Sequence, residues 1–282
     1  MSTYPHEQLT RELGLQLGQA TAYPQQFEPG LLHAVPRKLA RDTLALDGTA
    51  LPFDGVDLWT GYELSWLDLG GKPQVAIAEF SLPCSSPAII ESKSFKLFLN
   101  SLNQSHFADW QQVEHCLKES LSRCAGAPVT VNLLPPNHFS GATLVSLPGE
   151  SLDNLPLQDV SYNYDPTLLH VDGQRIVSET LMSDLLKSNC LITNQPDWGS
   201  VMIRYQGPAI DREGLLRYLI SFRAHNEFHE QCVERIFVDL MRHCRPQQLT
   251  VYARYTRRGG LDINPYRSNF EQQPPAGRLA RQ

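Results

Sequence analysis

The sequence predicts an α+β fold built from two similar modules packed side by side. Three observations carry this expectation. An order of strand-patterned and helix-patterned segments (strand–strand, then helices, then strand) runs twice along the chain. The stretch 148–159, with Pro148-Gly149, Asp153-Asn154 and Pro156, reads as the boundary between the two runs. The chain has 282 residues, 41% of them apolar, which is enough to bury one large core or two smaller ones and excludes wholesale disorder. The halves show no obvious sequence identity, so the repetition is one of pattern.

The elements follow in order. Residues 1–55 are rich in Pro, Gly and Gln without a sustained period, and read as an irregular arm. Residues 58–67 and 74–82 are aromatic and apolar enough for strands, joined by a turn at Gly70-Gly71-Lys72-Pro73. Phe95, Phe98, Leu99 and Leu102 have helical spacing. A second helix is expected over 109–124, with Asp109 as N-cap and Val113, Leu117 and Leu121 four apart. Val129–Leu134 and Ala142–Leu147 read as strands, which closes the module 56–150. In the module 151–282, residues 160–186 and 200–206 read as strands, although 179–187 also suits a helix. Asp211–Cys244 is helical with a polar interruption from Arg223 to Gln231, and Leu249–Thr256 is a strand.

Composition narrows the function classes. The net charge of −6 argues against a general nucleic-acid binder. Residues 1–160 carry −8 and residues 161–282 carry +2, and the cations of the second stretch are nearly all Arg. That suits forked contacts to a carboxylate or phosphate, or is an ordinary imbalance of surface charge. No apolar run approaches the roughly 20 residues that cross a bilayer, and the start lacks a signal-peptide pattern, so a cytoplasmic location is expected. The six cysteines (84, 116, 124, 190, 232 and 244) contain no C-x-x-C pair, which speaks against a zinc ribbon. Free thiols are expected in a reducing compartment.

Four segments could carry chemistry. Ser188-Asn189-Cys190 through Pro196-Asp197-Trp198 reads as a loop that places a thiol and a carboxyl seven residues apart. An ionised thiol attacks electrophilic carbon, and a neighbouring carboxyl group can give a proton. The plain alternative is a buried Cys and a turn Asp. Ile90-Glu91-Ser92-Lys93-Ser94 sets a carboxylate, hydroxyls and an ammonium at a helix start, which suits either a cap or a bound anion. In Arg223–Glu230, His225 and His229 are four apart, as on one helix face; they are an incomplete zinc set, a grip on a heterocycle edge, or a polar surface. Arg254–Gly260 offers cations and close backbone approach at a strand end, fit for a phosphate or for an exposed turn. No G-x-G-x-x-G or P-loop is present.

Four stretches together, Glu91-Ser92-Lys93-Ser94-Phe95-Lys96-Leu97, Ser188–Trp198, Phe228-His229-Glu230 and Tyr255-Thr256-Arg257-Arg258-Gly259-Gly260, give the chain a close family resemblance. It resembles the long, two-module form of the NADPH-dependent 7-cyano-7-deazaguanine reductases (QueF, nitrile oxidoreductases), which make a queuosine precursor. The likeness covers nearly the whole chain and is weakest over 135–175. It implies tandem tunnelling-fold (T-fold) modules, each an antiparallel sheet with helices on one face. It also implies that Cys190 forms a covalent thioimide with the nitrile and that Asp197 supplies protons. Ile90, Glu91, Ser92, His229 and Glu230 would hold the deazaguanine, and Ser92, Lys93, Arg258 and Gly259 would hold NADPH. The resemblance implies two NADPH per turnover and no required metal. A homodimer with no direct nucleic-acid or membrane partner is expected. Two other readings stay open at this point: a zinc-dependent cyclohydrolase-like enzyme using Cys190, His225 and His229, and a non-enzymatic nucleobase-binding module.

Overall fold

The computed structural model describes residue 24, residues 26–46 and residues 50–282. Among these the chain forms two compact units. The first comprises the described residues up to Ala40, Leu58–Ala142 and Arg257–Asp262; the second comprises Arg41–Asp57, Thr143–Thr256 and Ile263–Gln282.

In the first unit, β1 (Ala34–Pro36) pairs antiparallel with β4 (Ala88–Ile90). A second set runs β5–β3–β2, with β2 at Asp54–Leu67, β3 at Pro73–Pro83 and β5 at Thr130–Leu134. The turn after β2 forms as expected. Asp68 Oδ1 accepts from the backbone N–H groups of Gly70 and Lys72, and Gly71 takes φ +84°. Helix α2 (Ser92–Asn100) buries Phe95 and Phe98, as its spacing requires. Phe95 packs between Trp59 and Phe80, with ring centroids 5.1 and 5.0 Å away. Helix α3 (Trp110–Ala125) starts at the Asp109 cap, buries Val113, Leu117 and Leu121, and ends at Gly126 in the left-handed region.

The second unit orders its strands β10–β9–β8–β7–β6. They are β6 (Glu150–Ser151), β7 (Val171–Asn189), β8 (Pro196–Ile210), β9 (Gln248–Tyr255) and β10 (Leu261–Ser268). All neighbours are antiparallel except β6 with β7. Register explains one core layer: Met182 faces Met202, Met202 faces Tyr252 and Tyr252 faces Tyr266, a row across four strands. Leu147 and Leu279 complete that cluster. Helix α4 (Arg212–Ser221), capped by Asp211, packs on β7, and α5 (His229–His243) packs on β9. The short α1 (Lys38–Thr43) crosses from one unit to the other along the chain. Its Arg41 joins a buried ionic network: Glu234 of α5 accepts from Arg41 and Arg267, and Arg267 also pairs with Asp57 at 2.8 Å. Each of these buried charges therefore has an opposite partner, without which its burial would be strongly destabilising.

Strand–strand–helix–helix–strand therefore occurs twice, as β2–β3–α2–α3–β5 and as β7–β8–α4–α5–β9. The fold class is α+β with antiparallel sheets. Details differ from expectation. Ala142–Leu147 is not a strand: Leu144 makes one isolated bridge, to Arg278, and its side chain is 63% exposed. Pro148-Gly149 follows at once, with Gly149 at φ +126°, and interrupts any longer ladder. The presumed boundary 148–159 itself contributes β6. Residues 160–170 are irregular, with a 3₁₀ turn at Pro166–Leu168, so β7 begins later than its composition suggests. Residues 179–187 are strand rather than helix, because β8 offers them a long cross-strand partner. The arm 1–55 contains β1, α1 and a 3₁₀ turn at Pro29–Leu31 within its described part; residues 1–23, 25 and 47–49 lie outside the described residues. No described helix is long and apolar enough to cross a membrane.

Candidate active site

Cys190 and Asp197 sit at the closed end of the β7–β8 hairpin. The register pairs Ser188 with Asp197 and Asn189 with Pro196. Cys190 continues the ladder one step further, donating its N–H to Gln195 O at 2.8 Å, and its carbonyl accepts from Asn194 N at 3.0 Å. Asn194 takes φ +56°, the left-handed residue that lets so short a loop close. Pro196, which lacks an N–H, falls where the alternating ladder calls for no donor.

This register decides which side chains meet. Residues two apart on a strand share a face, and direct cross-strand partners share it too. Ser188 and Asp197 therefore project from one face, and Cys190, two residues after Ser188 and still bonded to Gln195 O, continues that face at the strand end. Cys190 is 8% exposed and Asp197 4%. The stretch read as a loop is strand at its two ends, through Asn189 and from Pro196, and a turn over 190–195, with Cys190 the first residue past β7.

The N-terminus of α5 covers the same face. His229 is its first residue, and His229 Nε2 lies 3.4 Å from Asp197 Oδ1. The imidazole stacks on Tyr255, with ring centroids 4.0 Å apart. Tyr255 is the cross-strand partner of Gly199, where a Cβ would stand 3.2 Å from the Tyr255 ring and 3.4 Å from Leu186. The absence of a side chain at 199 leaves room for the Tyr255 ring on which His229 stacks. Glu230, in the first turn of α5, is buried beside them in sequence.

His225 and His229 are not on one helix face. His225 caps a 3₁₀ turn (Phe222–Ala224), outside α5, because the polar run that interrupts the helical pattern is a true break. Its ring packs against Tyr164 and Phe222 and its Nε2 meets Glu227 at 3.1 Å. Burial acts to raise the Glu227 carboxyl, but hydrogen bonds from His225 and Arg235 outweigh it and hold the pKa down to about 2. Glu227 is thus a fixed anion that occupies His225. Among the described residues no group of three or more His, Cys, Asp and Glu is gathered to hold a metal.

The break has a further use that the sequence did not disclose. Asn189 N donates to His225 O and Glu227 N donates to Asn189 O, so the 225–227 segment runs alongside the hairpin end. Asn226 Nδ2 donates to Cys190 O at 3.3 Å and to Asn194 Oδ1 at 3.0 Å, and Lys187 Nζ reaches Asn189 Oδ1. These contacts hold the Cys190 turn from outside the hairpin. The only sequence signal for them was the polarity of the interruption.

The first unit places the remaining candidates. Ile90 is buried in β4 opposite Ala34. Glu91 is the N-cap of α2: its carboxylate accepts from Lys93 N at 2.8 Å and from Ser94 N at 2.7 Å. Each oxygen keeps acceptor capacity beyond the cap. Ser92 opens the helix and Lys93 follows it. Gly259 and Gly260 form a two-residue hairpin turn, closed by Arg258 N to Leu261 O at 3.0 Å, with Gly259 at φ +56° and Gly260 at φ +75°. A Cβ on Gly259 would lie 2.0 Å from Lys96 Nζ, so this turn abuts α2 at Lys96. Gly259→Ala is expected to lower stability by about 1–2 kcal/mol, the cost of an L-residue in the left-handed region; denaturant unfolding checks this.

A family model described as "Nitrile reductase, 7-cyano-7-deazaguanine-reductase N-term" matches residues 23–133, and one described as "QueF-like protein" matches residues 196–274. The chain belongs to the QueF family. Its activity class is therefore nitrile reduction in the queuosine pathway. The first QueF match contains the Glu91–Lys96 motif; the second contains Asp197, His229, Glu230, Arg258 and Gly259. Cys190 lies six residues ahead of the second match, so its place rests on the hairpin geometry and on the resemblance of its own segment. A solved structure, that of the archaeosine synthase QueF-Like in the apo form, is 16% identical over 36% of this chain and 96% of that one, with a TM-score of 0.29. That likeness is too slight to assign a role to any residue.

Proposed function

We propose that this chain reduces the nitrile of 7-cyano-7-deazaguanine to the aminomethyl group of 7-aminomethyl-7-deazaguanine, with NADPH, through a covalent thioimide on Cys190. The observation that carries this reading is the shared face of Cys190 and Asp197 on one hairpin, with His229 against the carboxyl group. A nitrile carbon needs a soft nucleophile, and the nitrogen then needs protons. Cys190 Sγ adds to that carbon while the nitrogen takes the thiol's proton, relayed through Asp197. When the carbon of the thioimide is reduced, the C–S bond breaks and thiolate leaves, releasing an imine. A second reduction completes the amine. The sum consumes two hydrides and two protons, and Asp197 is the group placed to pass the protons on. Glu230 and His229 are proposed to hold the deazaguanine through its polar edge, where carboxylates accept ring N–H groups.

The residues proposed for the cofactor fit it. Lys93 and Lys96 are three apart on α2, hence on one side of it, and the Gly259 turn next to Arg258 lies against Lys96. Clustered cations and a backbone turn without side-chain bulk suit a dinucleotide with an extra phosphate. When bound, NADPH supplies one hydride at each of the two reductions. Ser92, Lys93, Arg258 and Gly259 bind and orient it.

The test is a stoichiometric one. Nitrile substrate with the purified chain is expected to consume two NADPH for each aminomethyl product, with or without chelator. With NADPH omitted, intact mass is expected to show an adduct equal to the substrate. No NADPH oxidation despite retained substrate binding would overturn the proposal. Lys93→Ala is expected to raise the KM for NADPH about tenfold, the loss of roughly 1.4 kcal/mol, and to leave the KM for the nitrile within about twofold. An equal rise in both would assign Lys93 to the helix start alone.

A further inference from the structure

The geometry points to Ser188 as a third chemical group of this reaction, the acceptor for the N–H of the nitrogen that began as the nitrile. The inference rests on the function proposed above. Ser188 is completely buried, yet its Oγ has no hydrogen-bond partner. Other serines of the same hairpin are paired: Ser183 Oγ donates to Asp153 and Ser200 Oγ donates to Asp184. A buried hydroxyl left without a partner is destabilising and calls for an explanation.

Its position supplies one. Ser188 stands directly across the hairpin from Asp197 and two residues before Cys190, so it neighbours both the thiol and the carboxyl on their common face. His229 Nε2, against Asp197, is a second buried polar atom on that face without a hydrogen bond. Two buried polar atoms without a hydrogen bond therefore lie where the substrate's reacting atoms would be.

The chemistry requires such an acceptor. When Sγ bonds to the nitrile carbon, one π pair of C≡N moves onto nitrogen, which takes a proton and becomes C=N–H. The nitrogen then has one N–H and one lone pair, pointing in different directions. In a site closed to water the N–H needs an acceptor, and the lone pair must face the acid. Ser188 Oγ has two lone pairs and no other claim on them. By accepting the N–H it turns the nitrogen lone pair toward Asp197, which delivers the next proton as the carbon is reduced. Ser188 itself neither gains nor loses a proton.

Ser188→Ala separates this role from packing. The variant removes an unpaired hydroxyl and is expected to melt no lower than the wild type. With NADPH omitted it is expected to form the Cys190 adduct. Single-turnover reduction of that adduct is expected to slow about tenfold or more, with the KM for the nitrile within about twofold. Reduction at the wild-type rate overturns the inference, as does a slower rate accompanied by a lower melting temperature and a lost adduct. Failure of the underlying function looks different: the wild type itself would then form no adduct on Cys190.

Discussion

Cys190→Ala is expected to lower turnover by about 10⁴-fold or more, the scale of removing a covalent nucleophile, and to eliminate the mass adduct. The physical reason is that no other thiol can take over. Among the described residues the remaining cysteines are in other settings: burial pushes the Cys232 and Cys244 thiols up to about 12 and the Cys124 thiol up to about 11, and so suppresses their thiolates. Cys84 is buried in the first unit and Cys116 lies on α3. The fold should survive, since the Cys190 backbone keeps its bonds to Gln195, Asn194 and Asn226 and only one sulfur atom is lost. Steady-state kinetics and intact mass together check the expectation. An adduct on the variant would show that another atom is the nucleophile.

Asp197→Asn carries the next largest effect, a fall in kcat of about 10²–10⁴-fold, the usual worth of a positioned proton donor. The amide keeps the shape of the carboxyl group and can still contact His229 Nε2, so substrate binding and stability should change little. The kinetic pattern separates two roles. A donor acting on the reacting nitrogen lowers kcat with KM nearly constant; a group that only holds His229 raises the KM for the nitrile with kcat nearly constant. Full activity in the variant would remove Asp197 from the chemistry.

Local signals in the sequence were strong wherever a short stretch settles its own structure. Asp109, with Val113, Leu117 and Leu121, is enough for α3 because a cap and an apolar stripe are properties of one helix. The Asp68–Lys72 turn is likewise local, set by an Asp side chain and a glycine at positive φ. Ala142–Leu147 failed because apolar residues suggest a strand but a strand needs a partner, and only Leu144 found one. His225 and His229 failed for a related reason. A spacing of four puts two residues on one face only if the helix continues between them, and here the chain leaves the helix to run beside the Cys190 turn.

The duplicated order of elements, the cation-rich turn at 257–260, the capping Glu91 and the Cys190–Asp197 spacing were all present in the linear chain, because each depends on residue type and near neighbours. What the tertiary structure alone decided is which of these groups share a face. Seven residues of separation are compatible with a thiol and a carboxyl on opposite sides of a loop. The β7–β8 register at the hairpin end, Leu186–Asn189 against Pro196–Gly199, sets them on one side with Ser188 beside both. Helix α5 and Tyr255, far away in sequence, then bring His229 onto the carboxyl group. A period-two ladder reverses every side chain when it slips by one residue, so the register that the closed hairpin adopts decides which side chains meet.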